Sequence, residues 1–231
     1  MRNYVHDIMK GLGIILMMWC HLYESHTSLI YSFHMPLFFL LAGYYAQVYD
    51  RRIVCIGGGK TKIISDLRRL ILPFVITFAI LSCWRLLQAL LKHNWTMAIR
   101  YPLSILWASG DAIYSEKFGY IYAGPLWFLI ALFWIREFFY FGAGWIQCKC
   151  RKYKDECVLV GSFVVSIIAV LLHKVFDTVP WSVFQGLASI EFYAIGWYFH
   201  RHHIQWWLKI VCITCWPMAI FFGGLELSSC A

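Results

Sequence analysis

The chain has 231 residues and is 61% apolar, 19% aromatic and only 14% charged, with a mean hydropathy of +0.64. A soluble domain needs far more polar surface, so composition excludes a cytosolic globular enzyme and points to an all-α, multi-pass protein of the cell membrane, partnered by the lipid bilayer. The formal charge of +8 raises nucleic acid as a partner, but the basic residues fall between apolar runs, where membrane topology accounts for them.

Taken in order, seven apolar spans form a single transmembrane helical bundle: 8–23, 28–49, 70–91, 123–146, 157–173, 181–200 and 206–223. Several are interrupted by Gly, Pro or a charge, which membrane helices tolerate when neighbours satisfy the freed groups. The first is not a signal peptide, because it lacks a small-residue cleavage site and Met17-Met18-Trp19-Cys20 is a poor lipidation box. Loop 50–69 carries Arg51, Arg52, Lys60, Lys62, Arg68 and Arg69 against Asp50 and Asp66. Loop 147–156 carries Lys149, Arg151, Lys152 and Lys154, and loop 200–205 carries Arg201 with three histidines. The alternate loops are poorer: residues 23–28 have no Lys or Arg, and loop 92–122 has only Lys92, Arg100 and Lys117. The bias sets a cytoplasmic N-terminus and an outer C-terminus.

Residues Asp7–Gly43 hold the sequence's most telling chemistry: two apolar runs, each with one histidine, and Lys10 at the foot of the first. Intramembrane ionisable groups are functional candidates by default. Lys10 and His21 share a helix face, ~16 Å apart along its axis. Depth at ~1.5 Å per residue through a ~30 Å core puts His21, His34, Arg85 and Trp127 in one layer of the outer third, ~6–9 Å below the surface. Glu191 falls near the midplane. Arg136 and Glu137 fall lower and, being adjacent, diverge by ~100° and make poor mutual partners.

Each residue also has a plain reading. A membrane histidine packs in the core, Lys10 snorkels to the interface, and Arg68 and Arg69 anchor topology. Trp127 and Trp181 suit an interfacial aromatic belt. Gly57-Gly58-Gly59-Lys60-Thr61 is not a phosphate loop, since Val54 stands where the first glycine belongs. Cys148, Cys150 and Cys157 fall one ligand short of a zinc site. Cys212 and Cys215 lie in an apolar span as small hydrophobes, and the nine cysteines read as mostly buried, reduced thiols.

The Asp7-x-x-Lys10-Gly11 start, the Lys10-x10-His21 spacing and Ser32–Tyr44 (SFHMPLFFLLAGY) resemble the membrane-integral acyltransferase type 3 family. The likeness is to its surface-sugar, fucose O-acetylase-like branch, and it continues in Arg68–Pro73 (RRLILP), Gly124–Leu129 (GPLWFL) and Phe192–Phe199 (FYAIGWYF). It implies transfer of an acetyl group from cytoplasmic acetyl-CoA to a hydroxyl of an extracytoplasmic glycan or lipid-linked sugar, without a metal. It marks Asp7, Lys10, His21 and the His34 stretch as functional. Members usually carry more helices, so the chain is expected to be a C-terminally shortened member, a fragment or a degenerate copy. A non-catalytic remnant, or a small carrier using the same polar layer, stays open as the alternative.

On that basis His21 acts as general base on the acceptor hydroxyl or as acyl nucleophile. His34 shares the site, and Glu24, three residues after His21, orients the imidazole. Arg85 stabilises the oxyanion in a dry layer, and Trp127 contacts substrate. Lys10, Arg68 and Arg69 form a basic rim for the phosphates of the acyl-CoA. The topology has a direct check: a cysteine placed at position 60 should react with an impermeant thiol reagent only from the cytoplasmic side, and labelling from outside reverses the orientation.

Overall fold

The computed structural model describes residues 8, 11–15, 18–19, 27–46, 48, 58–107, 126–176 and 180–202. Among the described residues all regular structure is helical. The order is α1 (Thr27–Tyr44), α2 (Gly58–Asp66), a π turn (Leu67–Ile71), α3 (Leu72–Leu91), α4 (Trp95–Trp107), α5 (Trp127–Lys149), α6 (Lys154–Phe176), a 3₁₀ turn (Pro180–Ser182), α7 (Val183–Ala188) and α8 (Ile190–His202). Three of these stretches are long and apolar enough to cross a membrane: Lys60–Leu91, Trp127–Lys149 and Lys154–Phe176.

The local chemistry of these helices is ordinary. Pro73 follows the π turn in a helix continuous from Lys60, so its missing N–H removes one backbone bond and its ring crowds the carbonyl four residues back, which the wider turn accommodates. Helix α6 begins with Asp155 and Glu156 and ends with His173 and Lys174, so both ends complement the helix dipole. Asp155 also accepts a hydrogen bond from the Gln147 amide (3.0 Å), tying the start of α6 to the end of α5.

Several expected boundaries move. Residues 58–69 are not a loop: α2, the π turn and α3 form one continuous helix. Its 32 residues make it ~48 Å long, more than a ~30 Å hydrocarbon core requires. The Lys and Arg of this stretch therefore stand on a helix and not in a loop. Loop 92–122 contains helix α4. The expected span 181–200 is broken at Ser189 between α7 and α8, and His200–His202 close α8 instead of opening a loop. Span 206–223 and most of span 8–23 lie outside the described residues.

The chain forms two compact units, Met1–Gln47 with Glu191–Ser229, and Val48–Ile190. In the first, α1 and α8 touch backbone to backbone through glycine. A Cβ on Gly43 would collide with the Tyr193 carbonyl, and one on Gly196 with the Leu40 carbonyl. Small residues permit such close approach of membrane helices. Leu37, Phe39, Leu40 and Leu41 of α1 and Tyr193, Ala194, Trp197 and Phe199 of α8 are buried. The Tyr44 ring meets His200 edge-on at 4.5 Å between centroids. Gly13 of the first span also abuts α1, where an added Cβ would lie 3.0 Å from the Phe38 ring.

The second unit packs α3 on α5 around Ile71, Phe74, Phe78, Ile130 and Phe133, with Trp127, Trp134 and Trp181 against them. The indole N–H of Trp134 donates to the Trp181 carbonyl (3.2 Å) and steadies a left-handed residue (φ 64°) at the 3₁₀ turn. Helix α7 seats on α5, where a Cβ on Gly186 would lie 2.9 Å from the Ala131 carbonyl. The Ser166 hydroxyl of α6 donates to the Ala188 carbonyl at 2.6 Å. The outer flank of α3, with Ile76, Ile80, Trp84 and Leu87, is exposed, as a lipid-facing side requires.

Glycine positions therefore divide by what lies above them. Gly196→Val should destabilise the protein by ~1–3 kcal/mol or more, because backbone must move to admit the side chain. Gly142→Ala, at a site with nothing within 4 Å, should be neutral or stabilising by ~0.5–1 kcal/mol. Melting of both variants in detergent checks the contrast.

Candidate functional site

Four charged side chains from α2 and α5 meet in the second unit. Lys62 and Asp66 stand one turn apart on α2, and Lys62 Nζ donates to Asp66 Oδ2 at 2.9 Å. The same ammonium donates to Glu137 Oε1 of α5 at 2.8 Å. Arg136 closes on Asp66 with both arms of its guanidinium, Nε to Oδ2 at 3.0 Å and Nη2 to Oδ1 at 2.7 Å. Lys62 also lies over the Tyr140 ring, 4.6 Å from its centroid. The Asp66 side chain is only 3% exposed, that of Glu137 11% and that of Lys62 12%.

Two cations and two carboxylates leave the quartet neutral, which burial of charge demands. Planar bidentate pairing explains why arginine faces Asp66. As neighbours on one helix Arg136 and Glu137 diverge, and each reaches a different residue of α2. One atom stays unsatisfied: Glu137 Oε2 is buried without a hydrogen-bond partner among the described residues.

This network was not legible as a site. Lys62 and Asp66 fall in a charge-rich stretch that reads as a cytoplasmic loop, while their partners lie seventy or more positions away. The available signal was the pair Arg136–Glu137 inside an apolar run, which requires opposite charges from another helix.

Immediately after Asp66 the helix widens into the π turn, and both Arg68 and Arg69 stand exposed on it. Arg85 is exposed on α3. Trp127, in the first turn of α5, is half-buried against the apolar cluster together with Trp181, so both indoles pack on protein. His34 occupies a helical position in α1. Its side chain, with Lys10, His21 and Glu24, lies outside the described residues. The four described cysteines are free thiols as expected but not buried: Cys83 and Cys148 are exposed, and Cys150 and Cys157 are half-buried. Among the described residues no group of three or more His, Cys, Asp or Glu is arranged to hold a metal ion.

The quartet's energetics can be separated from its parts. Asp66→Leu should cost ~3–5 kcal/mol, because it strands Arg136 and leaves Lys62 with Glu137 alone in a largely buried setting. Adding Arg136→Leu should recover part of that loss. A double-mutant cycle read by thermal unfolding checks the coupling, expected above ~1 kcal/mol.

No curated protein and no solved structure matches the chain. The family model described as an acyltransferase domain matches residues 3–229, nearly the whole sequence and well past residue 200, where the motif likeness ends. With an all-helical fold and helices fit to cross a bilayer, the chain belongs to the acyltransferase type 3 family.

Proposed function

We propose that the protein moves an acetyl group from acetyl-CoA on the cytoplasmic side to a hydroxyl of an extracytoplasmic glycan or lipid-linked sugar. The observation that carries the acyltransferase chemistry is the domain match over residues 3–229. Support for the donor end comes from Arg68 and Arg69, two exposed guanidinium groups side by side on one turn, suited to the phosphates of a coenzyme A. Lys10, at the foot of the first span, joins them in this role.

The transfer itself is assigned to His21. As general base its imidazole accepts the acceptor's hydroxyl proton while that oxygen attacks the thioester carbonyl, and the coenzyme leaves as thiolate. As nucleophile its ring nitrogen takes the acyl group first and passes it to the hydroxyl. Glu24 holds the ring's tautomer in either case. His34 shares the acyl-transfer step, Arg85 stabilises the oxyanion, and Trp127 supports the acceptor.

Membranes carrying the protein, supplied with labelled acetyl-CoA, test these roles. His21→Ala should abolish transfer while insertion is unchanged, since losing a general base costs ~10²–10⁴ in rate and losing a nucleophile more. His34→Ala should leave small residual turnover, and Lys10→Ala should chiefly raise the KM for donor. Full activity in His21→Ala rejects the mechanism. Binding without turnover in the unsubstituted protein favours the non-catalytic alternative.

A further inference from the structure

The inward face of the long α2–α3 helix is not α-helical throughout. Its buried positions run Asp66, Ile71, Phe74, Phe78, Ser82 and, two turns on, Ala89. From Ile71 onward the spacings of three and four are those of an α-helical stripe. Between Asp66 and Ile71 the spacing is five, which in an α-helix turns the second residue ~140° from the first. The π turn closes the difference, with the Leu72 N–H donating to the Leu67 carbonyl five residues back.

Both ends of that turn are anchored to α5. Asp66 is held by the Arg136 fork and by Lys62. Ile71 is fixed in the cluster with Ile130 and Phe133. Of the residues between, Leu70 is half-buried against the same cluster, while Leu67, Arg68 and Arg69 all stand exposed. An α-helix would centre its inward contact four after Asp66, at Leu70; here the buried position comes one residue later, at Ile71. One extra residue and a poorer turn are instead retained, and such π bulges recur at functional sites.

We infer that the Asp66–Arg136 clamp is a positioning device: with Ile71 it holds the π turn open and so presents Arg68 and Arg69 as a pair. The inference rests on the reading above that this pair binds the donor's phosphates. Asp66 and Arg136 are positioning residues, acting on donor binding through the backbone of the turn.

Deleting Leu67 sets the two anchors four residues apart, a spacing an α-helix satisfies, and swings both arginines round the helix axis. The deletion should reach the membrane with a somewhat lower melting temperature, since Pro73 then sits in a regular α-helical interior. Its KM for acetyl-CoA should rise ~10-fold or more while kcat changes less than ~3-fold, the signature of lost donor binding. Asp66→Asn, isosteric and uncharged, should shift KM in the same direction by loosening the clamp. The double variant Arg68→Ala/Arg69→Ala calibrates the donor site. If it raises KM while the deletion and Asp66→Asn keep the wild-type value, positioning is overturned and the donor reading stands. If it leaves KM unchanged, the donor reading fails and the inference falls with it. A loss confined to kcat, or failure of both the deletion and Asp66→Asn to accumulate, makes the clamp a folding element and rejects the role.

Discussion

A carboxylate held between two cations in a nearly dry setting fixes the geometry of the larger unit. Asp66 accepts both arms of Arg136 and the Lys62 ammonium, and Lys62 carries the link on to Glu137. Buried charge pays its desolvation only when every partner is in place, so this arrangement tolerates one registry of α2 on α5 and few others. Apolar packing adds most of the burial, with Phe74, Phe78, Ile130 and Phe133 closed against each other beside it. The ionic contact sets the register.

How much of this was legible follows from where the information lies. Spans 70–91, 123–146 and 157–173 are visible as apolar runs, because hydrocarbon imposes length and composition locally. Their structural counterparts differ only at the ends, where capping and charged turns extend the helices. The stretch 58–69 misled because the same Lys and Arg that mark a cytoplasmic face also suit a solvated helix. Residues 181–200 misled because a run of apolar residues does not reveal a break at Ser189, which closes with the bond from its N–H to the Gly186 carbonyl. The quartet was hidden for a deeper reason: its pairs join residues far apart in sequence, and no local pattern encodes a pairing of that kind.

Part of the motif likeness proves to be packing. The stretches Ser32–Tyr44 and Phe192–Phe199 meet through Gly43 and Gly196, which let two backbones touch where any side chain collides with a carbonyl. A glycine required by close approach is as restrictive as one required by chemistry. These glycines therefore say nothing about catalysis. Sorting a motif by what each residue touches separates the scaffold from the candidates for chemistry.

The same sorting applies to charge. In the sequence Asp66-Leu67-Arg68-Arg69 the acid stands beside two bases and seems placed to neutralise them. In the fold it is turned inward, and its two oxygens are occupied by Arg136 and Lys62. Arg68 and Arg69 stand on the exposed side of the same helix. Turning Asp66 inward thus does two things at once: it locks α2 to α5, and it leaves Arg68 and Arg69 exposed on the other side of the same turn.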